Sequence, residues 1–416
     1  MLNTPSDGGV MMSFTEKKND VISGLKTIIK TPKDKQHGEI IGKIASAYYY
    51  TQSDSSVLEI AEDMEKINDV QAIGITDKSG HIIGLISRKI LFDFLSKPFG
   101  RDLYHSKSAG EICSNCLVYD YQSNIYSIAD EIEEKHGLKN DKYFAISKKG
   151  RFYGIFSTKD ILIYLSGITQ KDIQLARKLQ SNIVKEDLMF ENNSFSVCAV
   201  NRSAKGVSGD FHDVREYGEG RWLFTLCDVS GKGISASLVT AAIGGLFSAY
   251  DFSLGISTFI QKMNSFLLST FGNEKFVTGV FADLNEQTGE LTIFDMGHSL
   301  IYLFRNGRFF RLTTSQDNNI PLGIADNENS IPSDKLKLEK DDLFILLTDG
   351  LIEQVNESGE QYGSVRFAAN VGRYEEKGIE IIKEEILKDI SRYKGRQPLH
   401  DDMTMIILSF KKNISD

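Results

Sequence analysis

The sequence has few cysteines, no long apolar run and no excess of positive charge, and each shortage excludes a class of protein. Four cysteines in 416 residues are typical of a reduced chain rather than a disulfide-framed secreted one. No apolar run approaches the roughly 20 residues that a membrane-spanning helix needs, and Met1 to Val10 lacks the pattern of a secretory signal. The net charge of −9 argues against nucleic acid as the main partner. We therefore expect a cytoplasmic protein with no membrane span and no nucleic-acid partner.

Two further signals are missing. Cys113 and Cys116 have the CxxC spacing, but no second pair or nearby histidine completes a zinc site. We interpret them as a structural or incidental pair. No cysteine is followed by an arginine at the spacing of a covalent phosphatase loop. The length is sufficient for two or three domains with full cores.

The N-terminal half contains an internal repeat. Residues 75–87 and residues 147–157 share a pattern of glycines and serines that aligns at an offset of 70 residues. The aligned pairs are Gly80 with Gly150, Gly84 with Gly154, and Ser87 with Ser157. Each copy predicts a strand, a glycine turn, a second strand and a helix. The helices would span Arg88 to Leu95 and Thr158 to Leu165, and two such modules are expected to pack with pseudo-two-fold symmetry.

This repeat resembles a tandem pair of CBS domains over residues 40–165. Such pairs bind adenosine-type ligands, and a Ser/Thr-x-x-Asp motif at the start of the last helix contacts the ribose. Ser157-Thr158-Lys159-Asp160 matches that motif, whereas the first copy, Ser87 to Ile90, lacks the acid. The resemblance implies an adenine-nucleotide site at Ser157 and Asp160. The same two residues are equally consistent with a helix N-cap and a first-turn acid.

A connecting helix is predicted over residues 168–186. Its apolar positions recur at steps of three and four residues, and they are Ile173, Ala176, Leu179 and Ile183. The stripe could pair with its copy in a dimer or pack on its own domain. We expect a homodimer, and we expect residues 1–20, which are rich in small polar residues, to form a mobile end.

Four short acidic motifs in the C-terminal half each place a carboxylate beside an apolar run or a glycine turn. They are Ser208-Gly209-Asp210, Asp228-Val229-Ser230-Gly231-Lys232-Gly233, Thr348-Asp349-Gly350 and His400-Asp401-Asp402-Met403-Thr404. A single Asp-Gly is usually a turn. Several carboxylates at neighbouring strand ends instead form a site for Mg²⁺ or Mn²⁺, and two such ions can support phosphoester hydrolysis.

These motifs resemble the PPM family of metal-dependent protein phosphatases in its SpoIIE-like branch, over roughly residues 185–412. Further matches follow in the family's order, at Gly209-Asp210-Phe211-His212-Asp213, Gly297-His298-Ser299-Leu300-Ile301 and Pro321-Leu322-Gly323. Ser208 stands where the family usually has glycine. The apolar runs predict strands at Trp222–Asp228, Phe276–Asp283, Leu291–Phe294, Leu343–Thr348 and Met403–Phe410. Helices are predicted at Gly233–Tyr250, Ile256–Phe271 and Gly378–Tyr393, which together indicate an α+β fold. The resemblance implies an α-β-β-α sandwich.

The resemblance also implies the site. The metal set would be Asp210, Asp228, Asp349 and Asp401, with the carbonyl of Val229 as an extra ligand, bridging two Mn²⁺ or Mg²⁺. Asp402 is either a ligand or a partner that holds one. His298 and His400 could each orient a ligand or water, and for His298 the favoured alternative is a buried, hydrogen-bonded histidine.

We expect four regions: an N-terminal segment at 1–39, a CBS-pair regulatory domain at 40–165, a connecting helix at 166–188 and a phosphatase domain at 189–412. The expected function is that of a protein serine/threonine phosphatase regulated by its CBS pair. Its substrate would be a phosphorylated bacterial signalling protein such as an anti-sigma-factor antagonist. The alternatives are a catalytically inactive nucleotide-sensing adaptor and a hydrolase of small phosphoesters.

Overall fold

The structure is a computed structural model that describes residues 24–34, 38–137, 141–184, 187–313, 320–325 and 331–413. The chain divides into two compact units, Met1–Thr169 and Gln170–Asp416. The mobile end that we expect for residues 1–20 lies outside the described residues. None of the helices in the described ranges is long and apolar enough to cross a bilayer.

The N-terminal unit contains two small mixed sheets and their helices. Its elements are β1 Ile29–Lys30, β2 Tyr49–Gln52, α1 Val57–Lys66, β3 Ala72–Thr76, β4 Ile82–Ser87, α2 Arg88–Leu95, α3 Gly100–Tyr104, α4 Ala109–Ile112, β5 Val118–Asp120, α5 Ile125–His136, β6 Tyr143–Lys148, β7 Arg151–Ser157 and α6 Thr158–Gln180. The strand orders are β1-β2-β3-β4 and β5-β6-β7.

The internal repeat is visible in this architecture. In the first copy β2 runs parallel to β3 and β3 antiparallel to β4. In the second copy β5, β6 and β7 repeat the same arrangement. The segment before each copy also pairs with the other copy, because Ala47 bridges Ile155 and Ser114 bridges Leu85. This reciprocal exchange agrees with the pseudo-two-fold packing that the repeat predicts.

The prediction of two separate helices after β7 was wrong. A single helix, α6, runs from Thr158 to Gln180, and turns follow it. Gly167 lies inside this helix, where a glycine costs only about 1 kcal/mol relative to alanine. The boundary between the two units falls within this helix, after Thr169.

The C-terminal unit contains two antiparallel sheets. Its elements are β8 Asp187–Glu191, β9 Phe195–Arg202, β10 Asp210–Gly218, β11 Arg221–Val229, α7 Ile234–Ala249, α8 Ile256–Phe271, β12 Val277–Asn285, β13 Glu290–Met296, β14 Ile301–Arg305, β15 Arg308–Arg311, β16 Asp334–Lys337, β17 Leu343–Leu347, α9 Asp349–Ile352, α10 Ser364–Tyr374, α11 Ile379–Lys394 and β18 Met403–Phe410. The strand orders are β10-β11-β12-β13-β16 and β15-β14-β17-β18-β9-β8.

The two sheets face each other across a core and carry helices on their outer faces. Phe224 and Val280 of one sheet and Phe344 and Ile406 of the other belong to this central core. Residues of α7 and α8 pack on the outer face of the first sheet, and residues of α10 and α11 pack on the outer face of the second. Strand alternation explains the two faces, because successive side chains point to opposite sides. The mixed α+β fold and its sandwich layers agree with the prediction.

Candidate active site

The four acidic motifs meet at one edge of the sandwich. Asp210 begins β10, and the antiparallel register places it opposite Asp228, near the end of β11. In the other sheet β17 ends just before Thr348-Asp349, and its antiparallel neighbour β18 begins directly after Asp402. Antiparallel pairing therefore brings the start of one strand beside the end of the next in both sheets, and the acidic residues gather there.

Three of the four carboxylates in the predicted metal set share a cavity of about 320 Å³. Asp228, Asp349 and Asp401 line it together with Val229. The other described lining residues are Ser230, Gly231, Lys232, Phe276, Thr278, Gly297, His298 and Leu300. The cavity therefore combines several carboxylates with main-chain groups of a glycine-containing loop.

Asp210 pairs with Asp228, which lines this cavity, and is 1% exposed. Its Oδ2 accepts hydrogen bonds from the hydroxyls of Thr348, at 2.9 Å, and Thr404, at 2.6 Å. These two threonines belong to the second sheet's motifs, so the carboxylate ties the two sheets together at the site. The sequence contains both threonines in its motifs, although their role was not predicted.

Asp402 differs from its neighbour Asp401. It is 4% exposed, and its two carboxylate oxygens accept from the backbone N–H groups of Ala204, at 2.7 Å, and Gly209, at 2.6 Å. It thus holds the loop that leads into Asp210. Of the two roles that the sequence left open, this geometry favours the partner that holds a ligand in place.

Burial and mutual repulsion raise the pKa values of three carboxyl groups at the site. Burial, followed by the charges of Asp349, Asp401 and Asp402, raises the pKa of Asp228 to about 7. Burial, followed by Asp401, raises the pKa of Asp349. Burial, followed by Asp228, holds the pKa of Asp210 well above its usual range. Such shifts mean that the ionised forms repel one another, and a bound cation would relieve that repulsion.

Lys232 supplies a positive charge at this cluster. Its Nζ lies 2.6 Å from Oδ2 of Asp401 and donates to the carbonyl of His400 at 2.9 Å. Within the described residues, no three Asp, Glu, His or Cys side chains form a ready-made cage for a metal ion. The oxygen donors suit a hard divalent cation. The Lys232 ammonium contacts one of these oxygens and would have to move away from it before a cation could bind there.

The two histidines have different surroundings. His298 is 8% exposed, and its ring nitrogens contact the carbonyl of Leu347 at 2.6 Å and the hydroxyl of Thr278 at 3.2 Å. Burial lowers its pKa, so the ring is neutral and holds the end of β17. This confirms the expectation of a buried, hydrogen-bonded histidine. His400 is exposed, and its backbone rather than its ring is recorded at the site.

Glycines allow the close approaches at this edge. A Cβ on Gly350 would overlap the main-chain carbonyl of Asp402, so only glycine fits after Asp349. Gly231 has a φ of +87°, in the region that favours glycine. The Asp-Gly pattern that first pointed to turns therefore has a packing reason here.

The predicted nucleotide residues of the N-terminal unit form a helix cap. Asp160 accepts from the backbone N–H and hydroxyl of Ser157 and from the hydroxyl of Ser46, each at 2.7 Å. The described cavities of about 320, 330, 500 and 800 Å³ do not have Ser157 or Asp160 in their linings. The cavity of about 800 Å³ instead lies between the two copies, and it includes Ser87 and Lys89 of the first copy and residues 141–144 of the second. Ligand binding at Ser157 and Asp160 stays a prediction.

Comparison with known proteins supports the C-terminal resemblance. Residues 218–411 match the family model described as Stage II sporulation protein E (SpoIIE). Phosphoserine phosphatase RsbP of Bacillus subtilis (strain 168) is 22% identical over 250 residues, covering 58% of this chain and 59% of RsbP. Phosphoserine phosphatase RsbU of the same organism is 25% identical over 256 residues, covering 59% of this chain and 73% of RsbU. The chain thus spans less than two thirds of the length of RsbP.

Among solved structures, the SiaA-PP2C domain of Pseudomonas aeruginosa has a TM-score of 0.49 and 17% sequence identity, covering 59% of this chain and 99% of that domain. The family model and the two Bacillus relatives support a SpoIIE-type PPM phosphatase domain in the C-terminal unit.

Proposed function

We propose that this protein is a metal-dependent protein serine/threonine phosphatase whose active site is the cavity at the edge of the C-terminal sandwich. The main supporting observation is that Asp228, Asp349 and Asp401, which are far apart in sequence, line one cavity. Carboxylates gathered in this way are suited to divalent cations and phosphate chemistry. The names of RsbP and RsbU, both phosphoserine phosphatases, agree with this activity.

The donor set fits Mn²⁺ or Mg²⁺, and we propose two ions as the cofactor. Asp228, Asp349, Asp401 and the carbonyl of Val229 would hold them. When bound, the ions would lower the pKa of a coordinated water and neutralise phosphate charge. Asp210 is held by hydrogen bonds from its two threonines and would complete the acidic set.

The surrounding residues position this set. The neutral His298 ring contacts the carbonyl of Leu347 and so fixes the chain two residues before Asp349. Asp402 fixes the loop before Asp210 through two backbone N–H groups. These buried contacts are costly to break, so the carboxylates are held in place before substrate arrives.

The proposed substrate is a phosphorylated bacterial signalling protein, such as an anti-sigma-factor antagonist. Its phosphoserine or phosphothreonine would enter the cavity. Profiling phosphoproteins and small phosphoesters side by side separates this substrate class from a small-molecule hydrolase.

The activity is tested with the full chain, Mn²⁺ and a phosphoserine peptide. We expect turnover that EDTA abolishes and that Asp228→Asn and Asp349→Asn each nearly eliminate, because losing a carboxylate removes both charge and geometry. Asp341→Asn is the matched control, because Asp341 is exposed with a φ of +70°, which asparagine also tolerates. Turnover in EDTA, or near-wild-type rates in either site variant at saturating Mn²⁺, would contradict the proposal.

We also propose that the N-terminal unit is a CBS pair that binds an adenine nucleotide. Its two β-α-β-β-α copies and the cavity between them support this. Calorimetry with ATP can compare Lys89→Glu, a change in that cavity, with Asp160→Asn at the capped second copy. If only Lys89→Glu loses ATP binding, the nucleotide site is the cavity. If only Asp160→Asn loses ATP binding, the site is the predicted motif. A wild-type protein that binds no ATP contradicts the proposal.

Regulation would act through the end of α6. The Gln180 side chain donates to the carbonyl of Ser208 at 2.6 Å and accepts from its N–H at 2.8 Å. The Ser208 hydroxyl in turn accepts from the N–H of Asp210 at 3.1 Å. A Cβ on Gly244 in α7 would overlap Ile183, so Ile183 packs on its own domain, which was one of the two alternatives for the stripe. Leu179 is 61% exposed, which leaves it for the proposed dimer.

A nucleotide is expected to change the phosphatase rate, provided that it binds one state of this helix better than another. Leu179→Asp should weaken the dimer and remove the nucleotide effect while leaving Mn²⁺ binding intact. Gln174→Asp, at an exposed polar position of the same helix, is the control. Light scattering and nucleotide-dependent rates measure both effects. An unchanged dimer and an unchanged nucleotide response in Leu179→Asp would contradict this coupling.

A further inference from the structure

Lys232 lies in the loop between β11 and α7 and lines the acidic cavity. Its ammonium contacts the carboxylate of Asp401 at 2.6 Å and the carbonyl of His400 at 2.9 Å. Its side chain is 30% exposed. The ammonium is therefore anchored at the cluster by two oxygens while remaining accessible from the cavity.

The positive charge of Lys232 also acts on carboxylates other than that of Asp401. It opposes the upward pKa shifts of Asp228, Asp349 and Asp402. Of the described residues that line the cavity, Lys232 carries the only full positive charge, because His298 is neutral. Lys275 is close in space, but its ammonium donates to the carbonyl of Ser230 at 2.8 Å, and Lys275 is not among the described lining residues.

A divalent ion held by Asp401 would compete with this ammonium for the same carboxylate oxygens. Once the ion neutralises Asp401, the ammonium loses its main attraction there. The nearest negative charge would then be that of a phosphate in the cavity. An ammonium has three donors and no acceptor, and its bonds to phosphate are strengthened by charge.

We propose that Lys232 binds the phosphoryl group of the substrate, and that it leaves Asp401 when metal binds. The cluster alone would repel a phosphate dianion, so a positive charge from the protein favours its entry. This role deepens the proposed phosphatase function and rests on it. It also assigns the phosphate-binding residue that the acidic motifs alone leave open.

The test uses Lys232→Met, Lys232→Gln and Lys232→Arg in the full chain. Lys335→Met is the matched control, because Lys335 forms an exposed ion pair with Glu290 elsewhere in the same unit. Lys232 is partly exposed, so these changes are not expected to unfold the domain, and the glutamine variant provides a second neutral side chain. Circular dichroism verifies the fold of each variant.

The first measurement is Mn²⁺ binding by calorimetry without phosphate. Removing a competing ammonium should tighten Mn²⁺ binding in Lys232→Met and Lys232→Gln by about threefold, the size expected for one partly exposed ion pair. The control should match wild type. Unchanged or weaker Mn²⁺ binding in both neutral variants would overturn the proposed competition.

The second measurement is the affinity of inorganic phosphate for the Mn²⁺-loaded protein. Loss of one charged hydrogen bond should weaken phosphate binding about tenfold or more in both neutral variants, and the KM for a phosphoserine peptide should rise. Lys232→Arg should retain most of the phosphate affinity. Wild-type phosphate affinity in the neutral variants would overturn the proposal.

The two proposals fail differently. If wild type binds Mn²⁺ and phosphate but hydrolyses no phosphopeptide, the proposed function fails, and phosphate affinity still reports on Lys232. If wild type hydrolyses the peptide and the neutral variants bind phosphate as well as wild type does, only the role of Lys232 fails.

Discussion

Replacing Asp228 by asparagine should stabilise the metal-free protein at alkaline pH while removing its activity. Burial and three neighbouring carboxylates raise the pKa of Asp228 to about 7, against about 3.9 in an unfolded chain. A carboxyl group with a raised pKa stabilises the fold most when it is protonated, below about pH 4. That contribution is lost as the pH rises through about 7.

The magnitude follows from the shift. A difference of about 3 pKa units corresponds to at most about 4 kcal/mol, at about 1.4 kcal/mol per unit. Asp349 and Asp401 keep part of the repulsion when Asp228 is removed, so we expect a gain of about 1–3 kcal/mol at pH 8. For a unit of this size each kcal/mol corresponds to about 2–4 °C in Tm.

The assay is thermal unfolding in EDTA at pH 5 and pH 8. We expect Asp228→Asn to exceed the Tm of wild type by a clearly smaller margin at pH 5 than at pH 8, because the loss runs from about pH 4 to about pH 7. Asp341→Asn should follow wild type at both pH values. Saturating Mn²⁺ should then stabilise wild type more than Asp228→Asn. An Asp228→Asn protein that is less stable than wild type at pH 8 in EDTA would refute the proposed repulsion.

Three more predictions concern the same edge of the sandwich. Mn²⁺ affinity should fall as the pH drops from 8 to 6, because Asp228 takes up a proton below about pH 7. Calorimetry in buffers of different ionisation enthalpy would detect the proton that Mn²⁺ binding releases. Mn²⁺ binding without proton release would contradict this prediction. Thr404→Val should cost about 1–3 kcal/mol of stability, because Asp210 loses a 2.6 Å hydrogen bond, whereas Thr404→Ser should keep that bond and most of the stability. Urea unfolding measures both variants, and equal losses of stability would contradict the hydrogen-bond explanation. Gly350→Ala should destabilise the protein by about 2 kcal/mol or more through overlap with Asp402, whereas Gly245→Ala, with open space around its Cβ position, should not; similar Tm values for both would contradict the overlap.

Much of the C-terminal fold could be predicted from sequence because its strands are continuous apolar runs that end at glycines or acids. The prediction Met403–Phe410 coincides with β18, and Ile256–Phe271 coincides with α8. Helix α10 was missed, because Asn370 lies on its buried face and interrupts the apolar stripe. Asn370 is accommodated by hydrogen bonds to Tyr362 and Asp389, which local sequence does not reveal.

The acidic site could be predicted in outline but not in detail. Two adjacent carboxylates, Asp401 and Asp402, have different surroundings, because Asp401 contacts Lys232 whereas Asp402 faces two backbone N–H groups. This difference depends on loop geometry that spacing does not determine. The cap at Asp160 shows the same limit, because its partner Ser46 comes from a distant part of the chain.

The most direct test of the central claim is phosphate release from a phosphoserine peptide by the full chain. The claim is that Asp228, Asp349 and Asp401 together hold catalytic divalent ions. It predicts turnover with Mn²⁺, none in EDTA, none above background in Asp349→Asn, and wild-type turnover in Asp341→Asn. Turnover that persists in EDTA, or in Asp349→Asn at saturating Mn²⁺, would contradict it.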